Sequence, residues 1–197
     1  MIHLPGVLAA AGEVQRFLQS RGWRFCFIGG VALQRWGEPR LTQDVDLTLV
    51  TGFGEEELFV DSLLEHFVPR RPDAREFALK YRVLLVQTRQ GVGIDAALGA
   101  FPFEERSVQR ASEWTWDSGH ALITCSAEDL VVHKVFAGRD LDWADVERIL
   151  IRQHGKLNLH QIRLELKPLL ELKGTTESLE KLERLLSMVE RRLRAKP

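Results

Sequence analysis

The stretch Arg40-Leu41-Thr42-Gln43-Asp44-Val45-Asp46-Leu47 decides how this chain is read. Leu41, Val45, Leu47 and Leu49 alternate with polar residues, the period of a β-strand with one side in a core. In that conformation Arg40, Thr42, Asp44 and Asp46 project together from the other face. Two carboxylates two residues apart then point the same way. Like charges about 4 Å apart repel by ~4 kcal/mol at an effective dielectric near 20. Such a pair is best retained where a hard cation lies between its members.

Upstream, Arg24 to Ile28 is a short β-type run closed by Gly29-Gly30. Val31 to Trp36 then reads as a helix that stops at Gly37 and Pro39. A diglycine between strand and helix lets a phosphate approach the backbone and the N–H groups of the helix start. Before it, Val7, Leu8, Ala11, Val14, Phe17 and Leu18 recur at helical spacing, with Gly22 placed to end the helix. Downstream, Phe59, Leu63, Leu64 and Phe67 mark another amphipathic helix, with Glu55, Glu56 and Glu57 as its negative first turn.

Phe77 to Thr88 and Val92 to Leu98 read as two strands of an antiparallel hairpin turning at Arg89-Gln90-Gly91. The second strand contains Gly93-Ile94-Asp95-Ala96-Ala97, a lone acid among apolar residues. A charge there is costly unless paired or metal-bound. Asp44, Asp46 and Asp95 converging from neighbouring strands would make an oxygen-rich site for one or two Mg²⁺ or Mn²⁺ ions, as used in phosphoryl chemistry.

After an irregular Trp-bearing segment, Ala121 to Cys125 reads as one more strand. From Ser126 the chain reads as helical. Ser126 with Asp129 resembles a capping box, and Asp142 with Asp145 repeats the pattern. Leu179, Leu182, Leu186, Val189 and Leu193 share one face of the last helix. The fold class is therefore α+β: a mixed sheet with flanking helices over residues 1–125, then a helical region over 126–197 packed on that core.

Composition narrows the function classes. Of 197 residues, 45% are apolar and 28% charged, and the formal net charge of −1 argues against a dedicated nucleic-acid binder while leaving room for a local basic patch. No apolar run approaches the ~18–20 residues of a membrane span, and the N-terminus lacks a signal-peptide pattern. With Cys26 and Cys125 in apolar surroundings, the expectation is a cytoplasmic protein with no membrane association. The six histidines show no ligand spacing.

The order strand, Gly29-Gly30, short helix, Arg40-x-Thr42-x-Asp44-x-Asp46, then Asp95 resembles the nucleotidyltransferase superfamily with the DNA polymerase beta type of fold. The downstream run Glu128-Asp129-Leu130, Lys134, Ala137, Arg139, Asp142 and Asp145 resembles its AbiEii-type branch, which contains toxins of toxin–antitoxin systems. The resemblance covers roughly residues 7 to 150. It implies that Asp44, Asp46 and Asp95 bind metal, that Gly29 and Gly30 face the triphosphate, flanked by Arg40 and Thr42, and that Lys134 contacts the nucleotide. Family members often carry Gly-Ser where this chain has Gly29-Gly30, which removes one hydroxyl ligand for phosphate.

The implied activity is metal-dependent transfer of a nucleotide from an NTP to a hydroxyl on tRNA or protein, with an antitoxin as a possible partner. A small-molecule hydroxyl of the antibiotic type is the alternative acceptor. A catalytically quiet module that binds a partner protein is the alternative of another class.

Plainer roles compete at each position. Asp95 could pair with Arg82 or Arg40, Arg40 with Asp44, and Thr42 could serve β-propensity alone. Lys134 could snorkel from the edge of a core. Asp142 and Asp145 could be a helix cap and a first-turn acid. Arg191, Arg192, Arg194 and Lys196 could be a solvated helix end or touch RNA phosphates.

Overall fold

The computed structural model describes residues 4–117 and 119–195, so Lys196 lies outside the described residues. Its contacts divide the chain into two units. One runs to Ala32 and resumes from Arg40 to Cys125; the other takes Leu33–Pro39 and everything described from Ser126 onward.

The first unit is built on one mixed sheet of seven strands in the order β3-β4-β5-β2-β1-β7-β6. The strands are β1 (Phe25–Phe27), β2 (Asp44–Val50), β3 (Val68–Pro69), β4 (Val83–Gln87), β5 (Gly93–Gly99), β6 (Ser112–Asp117) and β7 (His120–Thr124). Its helices are α1 (Leu4–Ser20), α3 (Glu56–His66), α4 (Ala74–Tyr81) and α5 (Pro102–Gln109), with α2 (Gly29–Trp36) divided between the units after Ala32. Helix α1 ends where Gly22 takes φ +67°.

In β2 the alternation does what it should: Val45, Leu47 and Leu49 are buried, while Asp44 and Asp46 are only partly covered. The expected start was too early. The strand begins at Asp44, and Leu41, expected in the core, is 61% exposed. Strand β2 pairs with β1 antiparallel and with β5 in parallel. Opposite Val45, Leu47 and Leu49, β5 offers Ile94, Ala96 and Leu98, also buried. Together with Val7, Ala11, Val14 and Leu18 of α1 these residues belong to one apolar core.

The hairpin of β4 and β5 is present, with Gly91 at φ +82° and the Thr88 amide donating to Val92 O at 2.9 Å. Phe77 to Tyr81, expected as strand, instead completes α4. Ala74 and Ala78, four residues apart, are its buried face. The helix ends on Arg82, a non-glycine residue at φ +57°. The Arg82 guanidinium reaches Gly52 O at 2.9 Å, Thr51 Oγ1 at 3.2 Å and the Glu56 carboxylate, and those bonds hold a backbone conformation that L residues seldom adopt. Helix α5 and strand β6 occupy what reads in sequence as irregular; β6 pairs antiparallel with β7, Trp114 opposite Leu122.

The second unit holds α6 (Ala127–Ala137), α7 (Asp140–Arg152), α8 (Leu159–Lys173) and α9 (Glu177–Arg194). Ser126 caps α6 as expected, its Oγ accepting from the Asp129 amide at 3.1 Å. At α7 the cap is Arg139, with Asp142 as the third helical residue accepting from the Arg139 amide at 3.3 Å, so neither Asp142 nor Asp145 is the cap. Leu33–Pro39 belong to this unit because Gln153 Nε2 donates to Trp36 O at 2.9 Å and Arg152 binds Gly37 O. Among the described residues no helix is long and apolar enough to cross a membrane. Cys26 and Cys125 are both buried.

Candidate active site

In the parallel pair β2–β5, Asp46 lies opposite Asp95 and Asp44 opposite Gly93. Partners across a ladder share a face, so the three carboxylates stand on one side of the sheet. Strand β4 extends the row, since Leu85 lies opposite Asp95. The Arg70 amide, just past β3, donates to Leu85 O at 3.1 Å and brings its side chain to the same end. Arg70 Nη1 lies 3.5 Å from Asp44 Oδ1, and Nη2 binds Asp95.

Arg70 was not legible as a site residue, because the two-residue strand that positions it is too short to carry a periodic signal. The expected partners of Asp95 are engaged elsewhere in part: Arg82 binds Glu56, and Arg40 Nη1 donates to Leu41 O at 3.1 Å. Burial raises the Asp95 carboxyl above its ordinary range, the Asp44 charge adds to this, and Arg70 opposes both.

The glycines serve the acids directly. The Gly30 amide donates to Asp46 Oδ2 at 3.3 Å. A Cβ on Gly29, which sits at φ +55°, would overlap the Asp46 side chain, with Asp46 Cβ at 2.7 Å. A Cβ on Gly30 would lie 2.6 Å from Thr42 Cβ. The second glycine is thus dictated by the buried Thr42, whose Oγ1 donates to Asp44 O at 3.3 Å. Gly93 has the same function opposite: its Cβ would meet Arg70 Nη1 at 2.8 Å and Asp44 Cγ at 3.1 Å.

This predicts that Gly29→Ala costs more than its backbone conformation alone explains. Left-handed strain contributes ~1 kcal/mol and overpacking against Asp46 a further ~1–3 kcal/mol. Gly22→Ala is the control, since Gly22 sits at φ +67° with nothing within 4 Å of the added carbon. Urea unfolding of both variants measures the difference; equal losses would show that Asp46 gives way freely.

Oxygen donors of this kind and number suit Mg²⁺ or Mn²⁺. As placed, Asp44 and Asp95 share Arg70 while Asp46 turns to the Gly30 amide. Among the described residues no group of three or more His, Cys, Asp or Glu side chains is arranged to hold a metal ion. The donor set therefore fits a divalent cation in chemistry, and convergence of the three acids requires their present partners to yield.

Lys134, expected at the nucleotide, is 6% exposed in the second unit. Its Nζ is 2.9 Å from Asp142 Oδ1 and 2.9 Å from Asp145 Oδ2. Asp142 also receives Arg139 Nε at 2.7 Å, and Asp145 receives Arg148 Nη1 at 3.3 Å. Burial works to raise the Asp142 carboxyl, but hydrogen bonds from Arg139 and Lys134 outweigh it and hold it below the usual range. At the tail, Arg192 pairs with Glu147 at 3.2 Å and Arg194 with Glu190 at 2.6 Å.

The fold is that of nucleotidyltransferases. A crystal structure of an antigenic nucleotidyltransferase-like protein from Paracoccidioides brasiliensis is similar with a TM-score of 0.54 at 13% identity, covering 94% of each chain. The solution structure of the antibiotic-resistance factor ANT(2'')-Ia is similar with a TM-score of 0.52 at 15% identity, covering 90% of this chain and 96% of that one. No curated protein sequence matches significantly. Residues 17–195 match the family model described as nucleotidyl transferase AbiEii toxin, type IV TA system. The chain belongs to that family and is a nucleotidyltransferase.

Proposed function

We propose that this protein moves a nucleotide from an NTP to a hydroxyl of tRNA or of a protein, as the toxin of a type IV toxin–antitoxin pair, using a divalent metal held by Asp44, Asp46 and Asp95. The observation that carries the reading is the register of β2 against β5, which sets the three acids on one face beside the Gly29-Gly30 turn. A divalent ion held there supplies charge neutralisation on the phosphates and the departing pyrophosphate. The triphosphate lies along the diglycine turn, with Arg40 and Thr42 flanking it. Asp95 orients the acceptor hydroxyl and accepts its proton.

A small-molecule hydroxyl is the second reading, favoured by the fold shared with the antibiotic-resistance factor over 90% of this chain. Each labelled NTP, with Mg²⁺ or Mn²⁺, is incubated with tRNA, a protein pool and aminoglycosides. Label on tRNA or protein, lost in Asp46→Asn, is the expected result. Label on aminoglycosides alone favours the second reading, and label on nothing overturns both.

A further inference from the structure

The sheet aims one particular arginine at the acids. From the residue just past β3 a single row runs across β4, β5 and β2: Arg70 beside Leu85, Leu85 opposite Asp95, Asp95 opposite Asp46. Gly93 leaves the space through which the Arg70 guanidinium meets Asp44. The neighbouring arginines are committed to acids outside this group: Arg71 to Asp73 at 2.6 Å, Arg75 to Asp61 at 2.7 Å, and Arg82 to Glu56. Arg70 alone among these four bridges two of the acids assigned above to metal. A guanidinium offers several fixed donors and suits two carboxylates at once.

We propose that Arg70 is a displaceable counter-cation of the active site: it competes with divalent metal for Asp44 and Asp95, so that metal entry has to drive the guanidinium off. The proposal rests on the metal-site reading above and adds its regulation. The acids repel one another and require a cation among them; Arg70 meets that requirement with the chain's own charge. Position favours easy exchange. The Arg70 side chain is 26% exposed, and ion pairs so open to water are weak. Its backbone bond to Leu85 keeps the edge strand paired whichever way the side chain points.

The test is Mn²⁺ binding to the full chain without nucleotide, by calorimetry, in the wild type, Arg70→Gln, Arg70→Lys and Asp46→Asn. Removing the competing charge should tighten Mn²⁺ binding roughly several-fold, the scale of the two open ion pairs that the metal no longer has to break. Lysine keeps the charge without the fork and should fall between. The rise in melting temperature on adding saturating Mn²⁺ should be larger in Arg70→Gln than in the wild type. Equal or weaker Mn²⁺ binding by Arg70→Gln overturns the competition; if that variant does not fold, wild-type affinity in Arg70→Lys does the same. Failure of the metal-site reading looks different: Mn²⁺ then binds none of the proteins, or binds Asp46→Asn as tightly as the wild type.

Discussion

Asp44→Asn and Asp46→Asn should each lower nucleotide transfer by roughly a thousandfold or more, because each keeps the side-chain shape while removing a charge needed to hold the cation. The fold should survive. The carboxamide oxygen introduced by Asp46→Asn can still accept from the Gly30 amide, and both changes relieve the repulsion within the acid group. Against that relief, Asp44→Asn weakens one open ion pair with Arg70, worth at most about 1 kcal/mol. Stability without metal should therefore stay within about 1 kcal/mol of the wild type, or rise. Thermal unfolding in EDTA beside transfer in Mg²⁺ is the measurement. Variants that melt far lower yet still transfer nucleotide would place the chemistry elsewhere.

Lys134→Ala should have the opposite profile, a loss of about 3–5 kcal/mol in stability. Asp145 is fully buried and Asp142 is 2% exposed, and both accept from this one ammonium. Arg139 and Arg148 reach the same acids from the more exposed side and compensate only in part. The sign with pH follows from Asp142, whose carboxyl is held low by its donors. In the wild type this contributes stability that is present above the ordinary aspartate range and lost as pH falls through the lowered value. Without Lys134 the acids favour protonation, so the gap between variant and wild type should narrow on acidification. Urea unfolding at neutral and acid pH tests this. A variant as stable as the wild type at neutral pH would show that the ammonium is not what holds the two acids in place. Any change in nucleotide affinity is meaningful only once that stability is known.

Sequence by itself settled the local elements whose signal lies within one run of residues. The period of two in Asp44 to Leu49, the glycine stop at Gly22, the Gly91 turn and the Ser126 cap are each set by backbone sterics and a neighbour a few positions away. The same locality singled out Asp44, Asp46 and Asp95 as costly charges. It failed where two periods overlap or a run is short: Phe77 to Tyr81 is apolar enough for a strand but belongs to a helix that buries Ala74 and Ala78.

Only the tertiary structure could decide which groups meet. Arg70 reaches Asp95 through the pairing of three strands, and Lys134 meets Asp142 and Asp145 through the pairing of two helices. The second glycine of the diglycine pair answers to Thr42, in the segment beyond the next helix, and Gly93 to Asp44 on another strand. Such contacts depend on strand order, register and helix packing. These arise from burying one core shared by distant segments, and no spacing along the chain encodes them.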